Sequence, residues 1–193
     1  MRELVYYVAA SMDGYIAAPD GRFDAFLLEG DHLSEVTTRF ADALPTDAAE
    51  HLGIDQPCDR FATVLMGWHT YAHAVEAGVE SPYRHLEQIV FSRRRHAVAE
   101  NLRTVDTGPA TLVRELKHAP GADIWLCGGG SMAGQLIAEI DRIIIKRNPL
   151  VFGSGIPLFE PTGYAPTRFE LIDSKSFISG VIISEYTREG RER

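Results

Sequence analysis

The chain has 193 residues, 45% hydrophobic and 24% charged, the range of an ordinary globular domain that buries a core without metal or disulfide staples. Its net charge of -8, from 19 basic and 27 acidic side chains, argues against a general nucleic-acid or acidic-membrane partner, since both need clustered Lys and Arg. Two cysteines, Cys58 and Cys127, form no Cys-x-x-Cys pair, so neither a zinc knuckle nor a disulfide framework is indicated.

No run approaches the roughly eighteen apolar residues of a membrane helix, and the opening Met1-Arg2-Glu3-Leu4 does not read as a secretion signal. A single domain over 1–193 in a reducing cytoplasm is the expectation. Residues 4–10 (LVYYVAA) are nearly all apolar and read as a strand buried on both faces. A loop with Asp13-Gly14 and Pro19-Asp20-Gly21 follows. Leu33, Val36, Phe40 and Leu44 repeat at helical spacing, which predicts a helix over 32–44 that Pro45 stops. Residues 45–60 are polar and irregular, a loop or a short helix.

Residues 61–66 are a second buried strand, ended by Gly67, with a helix starting near Trp68. Strands follow at 88–91 and 102–105. Pro109 suits the first position of a helix carrying Leu112, Val113 and Leu116. Another strand, 124–127, runs into three glycines and a helix through Met132, Leu136 and Ile137. Cys127 reads as a small core residue. Residues 142–145 are a strand, and 168–176 with 181–188 form an antiparallel hairpin around Ser179-Gly180. Strands alternating with helices predict a three-layer α/β fold: a mostly parallel central sheet covered on both faces, with the C-terminal antiparallel hairpin at its edge.

Four segments can carry chemistry. Strand 124–127 enters a helix through Gly128-Gly129-Gly130, followed by Ser131 and Met132. Without Cβ atoms such a turn allows close backbone approach, and free N–H groups at the helix start suit a phosphate. The plain alternative is a tight turn without a ligand. Gly67 precedes His69 and Thr70 at a second strand-to-helix junction, where first-turn N–H groups can hold a diphosphate. His69 and His73 lie four apart, but no further metal ligands accompany them and no metal is expected. Ser92 with Arg93, Arg94 and Arg95 follows a third strand. Guanidinium forks suit a phosphate monoester, whereas a solvated basic loop is the commoner fate of such a run. The fourth segment, Ala10 to Ala17, puts Asp13 and Tyr15 in a loop after the first strand. The carboxyl edge of an open α/β sheet is where these strand ends meet, and where ligands bind.

AASMDGYIA at 9–17, TVLMGWHTY at 63–71, IVFSRR at 89–94, IWLCGGG at 124–130 and NPLVFGSGIPLF at 148–159 occur together and in order. In these segments the chain resembles the dihydrofolate reductase-like family, in particular the bacterial branch related to the riboflavin-biosynthesis reductase (RibD C-terminal) domain. The resemblance covers most of the chain. It implies NADPH as cofactor and hydride transfer to a small heterocyclic substrate of pteridine or riboflavin-precursor type, such as a 5-amino-6-(5-phosphoribosylamino)uracil. It further implies that Gly67, His69 and Thr70 meet the diphosphate, and that Ser92 and Arg93, with Arg94 beside them, meet the 2′-phosphate. Gly128, Gly129 and Gly130 would flank the diphosphate and nicotinamide ribose, and Ala10 and Ile16 the nicotinamide.

Some positions depart from the family pattern. Trp68 stands where Arg is frequent, Ala133 where dihydrofolate reductases carry an aromatic, and Tyr15 where riboflavin-pathway reductases carry Lys. Asp24, Asp31 and Glu35 are all candidates for a folate-type carboxylate. Asp13, Tyr15 and Asp24 are the candidates for proton delivery or substrate contact. A homodimer is expected through the apolar hairpin (Phe169, Leu171, Val181, Ile182, Ile183). The alternative function is a non-catalytic nucleotide- or ligand-binding protein on the same fold. A Rossmann dehydrogenase is disfavoured, because the glycine turn comes late in the chain.

Overall fold

The computed structural model describes residues 1–190. Its centre is an eight-stranded sheet in the order β5-β4-β3-β6-β1-β7-β10-β9. These strands are β1 (Leu4–Ala10), β3 (Phe61–Gly67), β4 (Glu87–Phe91), β5 (Leu102–Val105), β6 (Asp123–Gly128), β7 (Arg142–Arg147), β9 (Phe169–Ser176) and β10 (Ile182–Arg188). The first six in that order are parallel, and β10 and β9 close the sheet antiparallel. A second, two-stranded sheet joins β2 (Tyr15–Ala17) to β8 (Ile156–Pro157).

Alternation along β1 explains its uniform apolarity. Val5 and Tyr7 enter one core and Leu4 and Tyr6 the other, so no residue of the strand can be polar on either side. The first core is closed by Val36 of α1 (Leu33–Arg39), Phe40 and Tyr71 of α3 (Trp68–Glu76). The second is closed by Val113 and Leu116 of α4 (Pro109–His118) and Met132, Ala133 and Leu136 of α5 (Gly130–Leu136). Pro109 is the first residue of α4, where its missing N–H costs nothing.

The helix predicted over 32–44 is shorter. It ends at Arg39, and residues 41–43 form a 3₁₀ turn. The reason is Asp42, which turns inward. Its buried carboxylate accepts the amides of Cys58, Arg60 and Phe61 at 3.0, 3.0 and 3.2 Å. The polar stretch 45–60 contains α2 (Thr46–Leu52), stopped by Gly53 at φ +66°.

Three glycines are required by packing against backbone. A Cβ on Gly130 or Gly134 would lie 2.2 Å from the Pro157 carbonyl oxygen or 2.3 Å from that of Glu160. One on Gly155 would lie 2.2 Å from the Ala17 carbonyl oxygen. The segment around β8 is thereby clamped between α5 and β2. In the C-terminal hairpin, Val181 and Ile183 belong to the core rather than to an outer face. The exposed apolar side chains there are Leu171, Ile172 and Ile178. Among the described residues, no helix is long and apolar enough to cross a membrane.

Candidate active site

Because β1, β3, β4, β6 and β7 are parallel, their carboxyl ends reach one edge of the sheet. A cleft of about 1620 Å³ opens there and extends over the sheet face beneath α1. Its two halves differ in chemistry.

The first half runs from the end of β4 to the glycine turn. Gly128 has φ +138° and joins Gly129 through a cis peptide. A Cβ on Gly129 would lie 3.6 Å from Thr70 Oγ1 and 3.9 Å from Ile16 Cδ1, so the turn, the first turn of α3 and β2 converge. A Cβ on Gly67 would meet Met132 Cγ at 3.3 Å. At the far end, Ser92 Oγ accepts the amides of Arg94 and Arg95 at 3.4 and 3.0 Å, which curls the arginine run back over the cleft. The Arg95 guanidinium stands 5.4 Å from the Trp68 ring centre, a cation–π contact. Trp68 Nε1 is buried and has no hydrogen-bond partner among the described residues.

The second half is aromatic and apolar. Tyr7, Phe23, Phe26, Val36, Tyr83 and Trp125 line it. Trp125 Nε1 donates to the Tyr7 carbonyl at 3.0 Å, and Tyr83 packs edge-on against Trp125 at 4.9 Å. The Tyr83 hydroxyl lies 4.0 Å from Cys127 Sγ. Burial pushes the Cys127 thiol up to about 12 and the Tyr83 phenol well above its ordinary value, so both are neutral at neutral pH. Lys146 also lines this half, and desolvation holds its ammonium below the ordinary lysine value. The loop over the cleft is pinned by the Leu27 amide to Asn148 Oδ1 (3.1 Å) and by Phe26 stacked on Phe152.

Most of the cofactor residues named from the sequence line this cleft: Ile16, Gly67, His69, Thr70, Ser92, Arg93, Arg94, Gly129, Gly130, Ser131 and Met132. Ala10 and Gly128 sit behind it. Ala10 is buried and its carbonyl accepts the Asn148 amide at 2.8 Å, while its neighbour Ala9 faces the cleft. Gly130 lines the cleft, yet it must be glycine because of Pro157. His73 packs edge-on against Phe23 at 5.6 Å. Among the described residues, no three His, Cys, Asp or Glu side chains gather as a metal site.

The three proton-donor candidates lie elsewhere. Asp13 Oδ1 accepts the Ser11 hydroxyl at 2.6 Å and the Phe152 amide at 3.1 Å, and Oδ2 accepts the Gly153 amide at 2.8 Å. The Ser11 bond first, then the backbone amides, hold this carboxyl below its ordinary value, so it is an ionised loop anchor rather than an acid. Tyr15 alternates with Ile16 on β2, and Ile16 is the one on the cleft. The Tyr15 Cβ instead packs towards Gly155. Asp24 is exposed near Arg22. The sequence reading missed Lys146, Tyr83 and Trp125. For Lys146 a signal existed: on β7 it has the same parity as the core residue Ile144.

A profile of the RibD C-terminal domain family matches residues 2–183. The chain belongs to the RibD C-terminal domain family. Two relatives from Bacillus subtilis strain 168 agree over nearly the whole length. The uncharacterized protein YwjB is 32% identical over 182 residues, 91% of this chain and 92% of its own. The uncharacterized protein YyaP is 22% identical over 204 residues, 98% and 96% respectively. Among solved structures, a putative riboflavin biosynthesis protein from Shewanella sp. PV-4 superposes with TM-score 0.71 at 19% identity, covering 98% of this chain and 99% of that one. A diaminohydroxyphosphoribosylaminopyrimidine deaminase/5-amino-6-(5-phosphoribosylamino)uracil reductase from Thermotoga maritima gives 0.62 at 14% identity, over 97% of this chain and 56% of that one. The fold of this RibD C-terminal domain is therefore the dihydrofolate reductase-like one, a mostly parallel sheet with a C-terminal antiparallel pair.

Proposed function

We propose that the protein is an NADPH-dependent reductase acting on a small planar heterocycle of pteridine or pyrimidine type. The observation that carries this reading is the division of one continuous cleft. One half offers a glycine turn facing Thr70 and a Ser92–Arg95 cation cluster, while the other offers flat aromatic walls. Gly129 supports the cofactor's fit, because a Cβ there would occupy the space between Thr70 and Ile16 that a ligand backbone needs. When bound, the nicotinamide supplies the hydride. Arg93 and Arg94 would hold the 2′-phosphate, and Thr70, Ser131 and the first-turn amides of α3 the diphosphate. Ile16 and Ala9 would flank the ring, and the aromatic half would hold the substrate flat and exclude water. The cytoplasm is the compartment this reading assigns.

The test is a titration with NADPH and NADH, followed by loss of NADPH absorbance across a panel of pteridine, pyrimidine and quinone substrates. Tight NADPH binding with turnover on a heterocycle supports the reading. The position of Asp13, Tyr15 and Asp24 off the cleft favours one second reading, a protein that holds nucleotide and ligand without turnover. Binding of both without absorbance loss would select it. We further infer a homodimer, in which a second copy covers the exposed strand β9.

A further inference from the structure

Lys146 is a charged side chain in an apolar place. It lies on β7 opposite Ala9 of β1 and Ile183 of β10, with the same parity as Ile144, so it faces the core side of the sheet at the substrate half of the cleft. Among the described residues no hydrogen bond or ion pair holds its ammonium. The segment that covers this face supplies no counter-charge. Asp31 accepts the amides of Ile178 and Ser179 at 2.7 and 3.0 Å, and Glu35 is shared between Lys175 and Arg39. His32 is buried and held neutral, first by burial and then by Lys146 itself. Leaving an ammonium half-buried and unpaired is costly, and a group that binds there removes the cost.

The arginine run lies at the far end of the same cleft. Lys146 is four strands from the end of β4, roughly 19 Å at about 4.8 Å per strand. A dinucleotide held by Arg93 and Arg94 and passing Gly129 would therefore leave Lys146 to the second ligand. We infer that Lys146 anchors an anionic edge of a planar substrate, a carboxylate or ionised ring oxygen, and so selects anionic over neutral heterocycles. This rests on the reading of the cleft as a joint cofactor and substrate site.

Pterin-6-carboxylate and 6-methylpterin share one ring system and differ in that charge. Calorimetric titration of the full chain with each, with and without NADP⁺, should show the carboxylate binding about ten- to a hundred-fold more tightly, the range of one charge-assisted hydrogen bond. Lys146→Met should abolish the preference, Lys146→Arg should keep it, and NADP⁺ affinity should stay the same in both variants. Because no described residue pairs with the ammonium, Lys146→Met should melt at the same temperature or higher. Equal binding of the two pterins, a preference that survives in Lys146→Met, no binding of either at millimolar concentration, or a lowered melting temperature would each overturn the inference. A Lys146-dependent preference with no NADP⁺ binding would sustain it and remove the cofactor reading instead.

Discussion

The Ser11 hydroxyl donates to Asp13 Oδ1 at 2.6 Å, while Ser11 Oγ accepts the Tyr15 amide at 2.9 Å. Together with the Phe152 and Gly153 amides on Asp13, this pair ties the loop after β1 to the segment after β7. Asp13→Ala should lower the melting temperature and leave the cleft's aromatic half intact. The pH sense is fixed by the bonds. The folded carboxyl titrates below its unfolded value of about 3.9, so its contribution is fully present above that value. It is lost as pH falls through the lower folded value. Melting curves of Asp13→Asn between about pH 6 and pH 3 should therefore fall less steeply than those of the parent chain. Parallel curves would show that Asp13 is not the anchor.

Tyr15 follows from the same geometry. Its neighbour Ile16 lines the cleft, Tyr15 does not, and the Tyr15 Cβ lies beside Gly155, so removing the hydroxyl should leave a bound ligand undisturbed. Tyr15→Phe should change turnover by less than about twofold, with NADPH affinity unchanged. A loss near a hundredfold would restore the phenol to a catalytic role.

What the sequence made legible was the periodic part. β1, β3, β4, β6 and β7 announce themselves because both faces are buried, and α4 because proline precedes an apolar stripe. The pieces it hid are set by single side chains or by distance. Asp42 breaks a helix that Leu44 would extend, by bonding amides sixteen to nineteen residues away. α2 is polar and one face deep, with only Thr46 and Ala49 buried. In the site, glycine and arginine motifs are local and were readable. The aromatic half is assembled from β1, β6, β7 and the residue 83 turn, so no local motif marks it. Asp13 and Tyr15 drew attention as polar residues beside a motif, but only the fold reveals that one is consumed by the loop and the other turned away.

Gly129 and Gly130 are neighbours with different reasons to be glycine. A Cβ on Gly129 meets only ordinary contacts, whereas one on Gly130 collides with the Pro157 carbonyl at 2.2 Å. Gly129→Val should keep a native circular dichroism spectrum and bind NADPH at least about tenfold more weakly. Gly130→Ala should lose about 1–3 kcal/mol or more of stability through overpacking against backbone. The two sites exchange roles if denaturant melts show Gly129→Val to be the unstable one.

Arg93 and Arg94 line the cleft with no ion pair among the described residues, while Arg95 is engaged over Trp68. Replacing Arg93 and Arg94 together with Ala should weaken NADPH about ten- to a hundred-fold, because charge-assisted bonds of roughly 1.5–3 kcal/mol are lost. NADH, lacking the 2′-phosphate, should be nearly unaffected. Equal losses in paired titrations would take the 2′-phosphate away from this loop.

Glu185 tests the opposite end of the sheet. Its side chain is 2% exposed and receives Arg60 at 3.1 Å, Arg142 at 2.8 Å and Arg39. Glu185→Ala would leave three guanidinium groups facing one another without their shared carboxylate. Removing one partner of a buried ionic cluster costs about 3–5 kcal/mol, so urea denaturation should shift strongly to lower midpoint. A shift within the scatter of surface substitutions would mean that Glu3, Glu35 and Asp173 carry the arginines alone.

Strand β9 concerns assembly. It pairs with β10 on one side only, and nearly every residue along it is exposed. Leu171 and Ile172 lie at the β-bulge where the pairing skips from Asp173 to Leu171, and both are exposed. Among the described residues no strand pairs with the outer edge of β9, and an unpaired edge carrying exposed apolar side chains is a template for a second chain. A second copy brings the same strand, and a two-fold contact through β9 satisfies both protomers at once. Sedimentation equilibrium at micromolar concentration should give a dimer mass. Leu171→Lys combined with Ile172→Lys replaces the exposed apolar pair of the edge by charge and should give a monomer, with the circular dichroism spectrum retained because both side chains are exposed. A monomer mass for the parent chain, or a dimer that survives the double substitution, would count against β9 as the contact.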